Sequence, residues 1–206
     1  MSTDSPVPAV LRVTRSIEDS SALDPVVDRV RPWVADVLER RPGLAAVLHG
    51  RPLGHALHPL MTDAPLGLWM SATTLDLLGG EQARPSADRL LGLGVVAALP
   101  TALSGLADWA VSGRRTQRVG AAHAVLNSAA LVLYTGSWVL RRRGARAAGV
   151  AASLAATGLA GASGYLGGHM TSRLGAPPRR HSGPATTRPA PDADETDVPE
   201  AASAPA

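Results

Sequence analysis

The chain has no cysteine and no phenylalanine, and none of its 20 basic residues is lysine. Without cysteine it can form no disulfide, no thiolate metal site and no cysteine-held iron–sulfur cluster. The choice of arginine goes with abundant alanine and reads as a coding bias. The net charge of +3 is small, and the arginines sit at the ends of apolar runs. That placement suits a membrane interface better than a nucleic-acid-binding face, so no nucleic-acid partner is expected. Met1 to Asp24 lacks the charged-then-apolar pattern of a secretory leader, so insertion must be signalled by an internal span. No Ser/His/Asp order, phosphate loop or pair of general-acid carboxylates can be picked out, so nothing supports an enzyme.

What the chain does have is a set of long apolar runs. Leu60 to Leu78, Leu90 to Trp109, Ala121 to Leu140 and Ala147 to His169 each approach the roughly 20 residues that cross a hydrocarbon core. Short polar links separate them, and none shows the charged face of a soluble helix. The expected fold is therefore all-α: an integral membrane four-helix bundle over residues 60–174. In the first run Thr62 or Asp63 is placed to cap the helix and Pro65 to lie in its first turn. Residues 1–21 read as a flexible lead. Residues 22–59 read as an amphipathic, interfacial helical region opened by Asp24-Pro25. It carries Val26, Val30, Val34 and Val37 at helical spacing, and Pro32 is expected to break or kink it. Residues 175–206, rich in Pro and Ala, read as a disordered tail.

Small residues supply a packing signal. Ala152, Ala156, Ala160, Gly164 and Gly168 recur every four residues in the last run, with Gly94, Ala98 and Ala102 similar in the second. Small faces let helix backbones approach closely in lipid.

Four spans put both termini on one side of the membrane. That side carries Arg51, Arg114, Arg115, Arg118, Arg173, Arg179 and Arg180 near the spans. The other carries Arg84, Arg89, Arg141, Arg142, Arg143 and Arg146. The excess places both termini in the cytoplasm of a bacterial cell, with the spans in its plasma membrane. The same topology brings His55, His58, Asp63, Asp108, His123 and His169 to a single membrane face, while Asp76 lies at the other, within reach of that face's arginines.

The stretch from Leu48 to Gly80, with Gly54-His55, His58-Pro59, Thr62-Asp63, Pro65, Gly67, Trp69 and Leu75-Asp76, resembles DUF2231, a bacterial membrane family of unknown function. Gly105-Leu106-Ala107-Asp108-Trp109, His123 with Asn127, and Gly164-Tyr165-Leu166-Gly167-Gly168-His169 continue the resemblance, which runs from about Val30 to Gly175. It implies four spans. Some relatives carry a Rieske iron–sulfur domain after the fourth helix, which implies an electron-transfer protein as partner. This chain, lacking cysteine, departs from them there.

Two readings of the polar cluster follow. Two imidazoles from facing helices, His123 with His58 or His169, would hold a haem b iron. A divalent metal would instead take His55, His58, His123 or His169 with Asp63 or Asp108. Either makes the protein a redox-associated module. The alternative is a structural or partner-binding membrane protein without cofactor, its polar residues only capping and locking helices. A proton relay through Asp76, Asn127 and the histidines is a third possibility.

Overall fold

A computed structural model describes residues 8–177, and among them every regular element is helical. The helices are α1 (Ala9–Glu18), α2 (Asp24–Arg40), α3 (Pro42–Leu48), α4 (Leu57–Leu78), α5 (Arg84–Ala110), α6 (Arg114–Arg142) and α7 (Arg146–Ser172). Short links fold each of the last four back along the one before. Contacts join α4 to α5, α5 to α6, α6 to α7 and α7 to α4, closing a ring.

Three stretches, Glu81–Ala110, Arg114–Arg142 and Arg146–Ser172, are long and apolar enough to cross a membrane. The fourth expected span does not reach that standard. At 22 residues α4 is about 33 Å long, enough to cross. Its composition falls short because Thr62, Asp63, Thr73, Thr74 and Asp76 dilute it.

The start of α4 also differs from expectation. It begins at Leu57, so Pro59 takes the first turn, where its missing N–H is no loss, and Pro65 lies inside the helix. Neither Thr62 nor Asp63 is its cap: the Thr62 hydroxyl donates back to the His58 carbonyl at 2.8 Å, and Asp63 is exposed. Pro65 leaves the Met61 carbonyl without its intrahelical donor. The Thr101 hydroxyl of α5 donates to that carbonyl at 3.2 Å, turning a helix defect into a cross-link.

The core takes residues from all four long helices: Trp69 and Ala72, Leu91, Ala130 and Tyr134, Ala156 and Ala160. Trp69 and Tyr134 stack with ring centroids 4.0 Å apart and planes 15° from parallel. On α7 the buried line is Gly149, Ser153, Ala156, Ala160, Ser163 and Leu166. The expected four-residue stripe holds only at its middle, and Gly164 and Gly168 are exposed. A strict step of four advances about 40° per step around the helix, so it leaves any straight interface within a few turns. Mixed steps of three and four stay on it. On α5, Gly94 is buried and Ala102 exposed for the same reason.

The N-terminal region packs on one end of this ring. Residues 9–18 form α1 against α6, where a lead without structure was expected. Helix α2 runs unbroken through Pro32. Burial of Val34 and Leu38 with Ala45, Ala107 and Ala110 compensates the lost backbone bond. Its buried face is Val27, Val34 and Leu38; Val26 is exposed. Arg118 of α6 grips Asp24 with two bonds, 2.8 and 2.7 Å, and donates to the Glu18 carbonyl at 3.0 Å. The expected tail begins at 175 and lies almost wholly outside the described residues.

Candidate functional site

The histidines of the described residues do not converge on one centre. Among them only His58 and His123 come together, with ring centroids 6.5 Å apart and planes at 87°. His58, in the first turn of α4, donates from Nδ1 to the Thr101 carbonyl of α5 at 2.9 Å. His123 of α6 does the same to the Ser163 carbonyl of α7 at 2.8 Å. Both acceptors are helical carbonyls, and that of Thr101 also accepts from the Ser104 hydroxyl at 2.8 Å. The bonds assign the proton of both rings to Nδ1 and leave the lone pair on Nε2. At His123 that lone pair accepts from Asn127 Nδ2 at 2.9 Å.

Glycines make room for both rings. A methyl group built on Gly105 would lie 2.7 Å from the His58 ring, and one on Gly167 3.3 Å from the His123 ring.

The other expected residues go elsewhere. His169 is buried at the end of α7, where its Nε2 meets Glu18 Oε1 of α1 at 2.7 Å. It belongs to the attachment of α1. Asp108 pairs with His49 at 2.8 Å, both side chains nearly buried, and its Oδ2 has no hydrogen-bond partner. His55 and Asp63 are exposed and border a shallow groove with Leu53, Pro59 and Leu60. Among the described residues no three His, Asp or Glu side chains stand together as a metal site. The mixed His/Asp ligand set is thus not assembled, because α1 and α3 bring Glu18 and His49 to two of its members first.

Asp76 does find arginines at its own end of the bundle. It bonds Arg141 at 2.6 Å and Arg146 at 2.6 Å, and Asp88 bonds the same two arginines at 3.1 Å. Arg141 is fully buried, and Ser137 and Ser153 accept its remaining donors. Two carboxylates and two guanidiniums make this network neutral, the condition under which buried charge is tolerated.

Together these contacts disclose a repeat. His58, Trp69 and Asp76 lie 65 residues before His123, Tyr134 and Arg141, and each touches its own counterpart. On the second helix of each pair the offset is 62: Thr101 matches Ser163, Gly105 matches Gly167, and buried Gly94 matches buried Ala156. A residue meets its own equivalent only on a two-fold axis, and these three pairs lie along one. Here it relates hairpin α4/α5 to hairpin α6/α7, as in parallel membrane repeats. The residues missed by sequence reasoning divide accordingly. The 65-residue offset was a readable signal for the pairing of His58 with His123 and of Asp76 with Arg141. Nothing local marked Glu18 or His49, which arrive through the fold of α1 to α3.

A chain whose described residues form helices alone, three of them fit to cross a bilayer, has the make-up of a membrane protein. More particularly, it belongs to the family described as Predicted membrane protein (DUF2231), whose model matches residues 54–177. No curated protein and no solved structure matches the chain.

Proposed function

We propose that this protein is a haem-binding membrane module that passes electrons to a partner protein, with His58 and His123 as the residues that would hold the haem iron. The observation that carries the reading is the His58–His123 pair on the two-fold axis. Two imidazole nitrogens that would bond one metal ion, each at about 2 Å, keep their rings within about 6 Å of each other. The rings stand 6.5 Å apart. Each Nδ1–H is already held by a carbonyl, the arrangement that orients a ligating histidine and makes it more basic. A haem needs only two ligands from the protein, whereas a divalent ion wants three or four, and no such group stands together among the described residues.

When bound, haem supplies one-electron chemistry. This chain's residues hold and orient it: Thr101 and Ser163 fix the two rings, Gly105 and Gly167 clear their edges, and the Trp69–Tyr134 stack lies a few turns below in the apolar core. Asn127 must release His123 Nε2 for ligation. Its side chain is exposed, so its amide has room to turn away. That same contact favours a second reading, in which the pair is a hydrogen-bonded lock in a structural or partner-binding membrane protein.

The reading includes α4 as a fourth span, since Arg141 and Arg146 neutralise its one buried carboxylate and three of its threonine hydroxyls bond back to its own carbonyls. Both termini then face the cytoplasm of a bacterial cell, on the arginine excess. The test is an absorption spectrum of the detergent-purified chain, expressed with haem available. A Soret band in the wild type and in His169→Ala, lost in His58→Ala and His123→Ala, is expected. A colourless wild type selects the lock.

A further inference from the structure

A second site lies at the opposite end of the bundle from the histidine pair. Helices α5 and α6 leave between them a groove of about 670 Å³, open along one flank. Its walls are apolar, formed by Gly92, Leu93, Val96 and Trp138, and its mouth holds Arg89 and Arg142. Gly92 shapes the floor: a methyl there would lie 2.8 Å from the Trp138 indole nitrogen. Arg142 lies over the Trp138 ring, 4.9 Å from its centroid, so the guanidinium is kept at the mouth.

Charge decides what this groove takes. Asp88 also borders it but already serves Arg141 and Arg146. The four-charge network of Asp76, Asp88, Arg141 and Arg146 sums to zero. Among the described residues Arg89 and Arg142 have no carboxylate partner. Two uncompensated guanidiniums therefore stand at the mouth of an apolar slot. Both belong to the ends of candidate spans, at the level of lipid headgroups, with a tryptophan beside them.

We propose that the groove binds an anionic phospholipid, its phosphate held by Arg89 and Arg142 and one acyl chain laid along Leu93 and Val96. Basic pockets between membrane helices suit such headgroups. Guanidinium favours phosphate because its fork of donors matches the oxygens. A free anion would satisfy the arginines but leave the slot unfilled, whereas a lipid fills both.

The test is native mass spectrometry of the detergent-purified full chain after exposure to equimolar phosphatidylglycerol and phosphatidylcholine. The wild type should retain phosphatidylglycerol preferentially. Arg89→Gln/Arg142→Gln should reduce that retention by about tenfold or more, while Arg143→Gln, exposed at the same end but outside the groove, should not. Val96→Trp, which fills the acyl slot and leaves every arginine in place, should also reduce retention with an unchanged melting temperature. Equal retention of the two lipids, wild-type retention by the double variant, or displacement of the lipid by inorganic phosphate alone would each overturn the proposal.

Discussion

Hairpins α4/α5 and α6/α7 follow one plan with different side chains. The first helix of each carries a histidine bonded to a carbonyl across the hairpin, an aromatic ring eleven residues on and a charged residue seven beyond that. The sizes then trade. Trp69 lies against Gly94, whose absent methyl makes room for the indole. In the other hairpin the smaller Tyr134 shares the core with Ala156. Polar anchors keep their chemistry or invert its sign, while apolar partners keep only their combined volume. Close packing constrains a pair's total size more tightly than either member.

The comparison is broken most directly at the charged ends. Arg141→Leu should destabilise the protein by about 3–5 kcal/mol, because Asp76 is left buried beside a lost partner. Asp76→Leu/Arg141→Leu should recover most of that, with Asp88 and Arg146 still paired. Unfolding midpoints in detergent read the effect, and a double variant no better than the single would refute the neutral-network account. Next in size, Gly149→Leu on the packed face of α7 should cost about 1–3 kcal/mol or more, since even a methyl there would lie 2.7 Å from Arg141 Cγ. Gly164→Leu and Gly168→Leu meet nothing and should stay within about 0.5 kcal/mol. Similar losses at all three would restore the strict four-residue stripe.

A finer test converts one hairpin toward the other. Gly94→Ala should cost about 1–2 kcal/mol by pressing on Trp69. Adding Trp69→Tyr, which gives α4/α5 the Tyr/Ala pair of α6/α7, should reverse part of that loss. If the second change only deepens it, the sizes do not trade. The smallest effect lies outside the bundle, at Asp24. The hydrogen bond from Arg118 holds its carboxyl below the ordinary 3.8. A depressed carboxyl contributes stability above its unfolded value and loses it as pH falls through the folded one. Protection of the α1–α2 junction from hydrogen exchange, taken relative to the intrinsic rate at each pH, should therefore be steady from neutrality to about pH 4 and fall below it. Arg118→Gln should exchange fast throughout.

The long apolar runs made α5, α6 and α7 legible, since a helix satisfies every backbone group within its own segment in lipid. Their ends came out a few residues longer than the runs, because arginines continue a helix past the hydrocarbon edge. Prolines misled the reading. Pro65 and Pro32 are helix breakers only if no neighbour repairs them, and Thr101 and the Val34–Leu38 face are neighbours that no local window contains. The candidate site was half legible. Topology brought His58 and His123 to one layer, but the same argument admitted His169 and Asp108. Their partners, Glu18 and His49, come from segments read as lead and surface helix.

The opposite charges at equivalent positions have a consequence for assembly. If a hairpin paired with a copy of itself about the same axis, Asp76 would meet Asp76, or Arg141 would meet Arg141, with no solvent to screen them. Only unlike hairpins can close the ring. The near-symmetric halves thus carry a built-in rule of partner choice, which disfavours the pairing of like hairpins from neighbouring molecules and leaves the unlike pairing that one chain already contains.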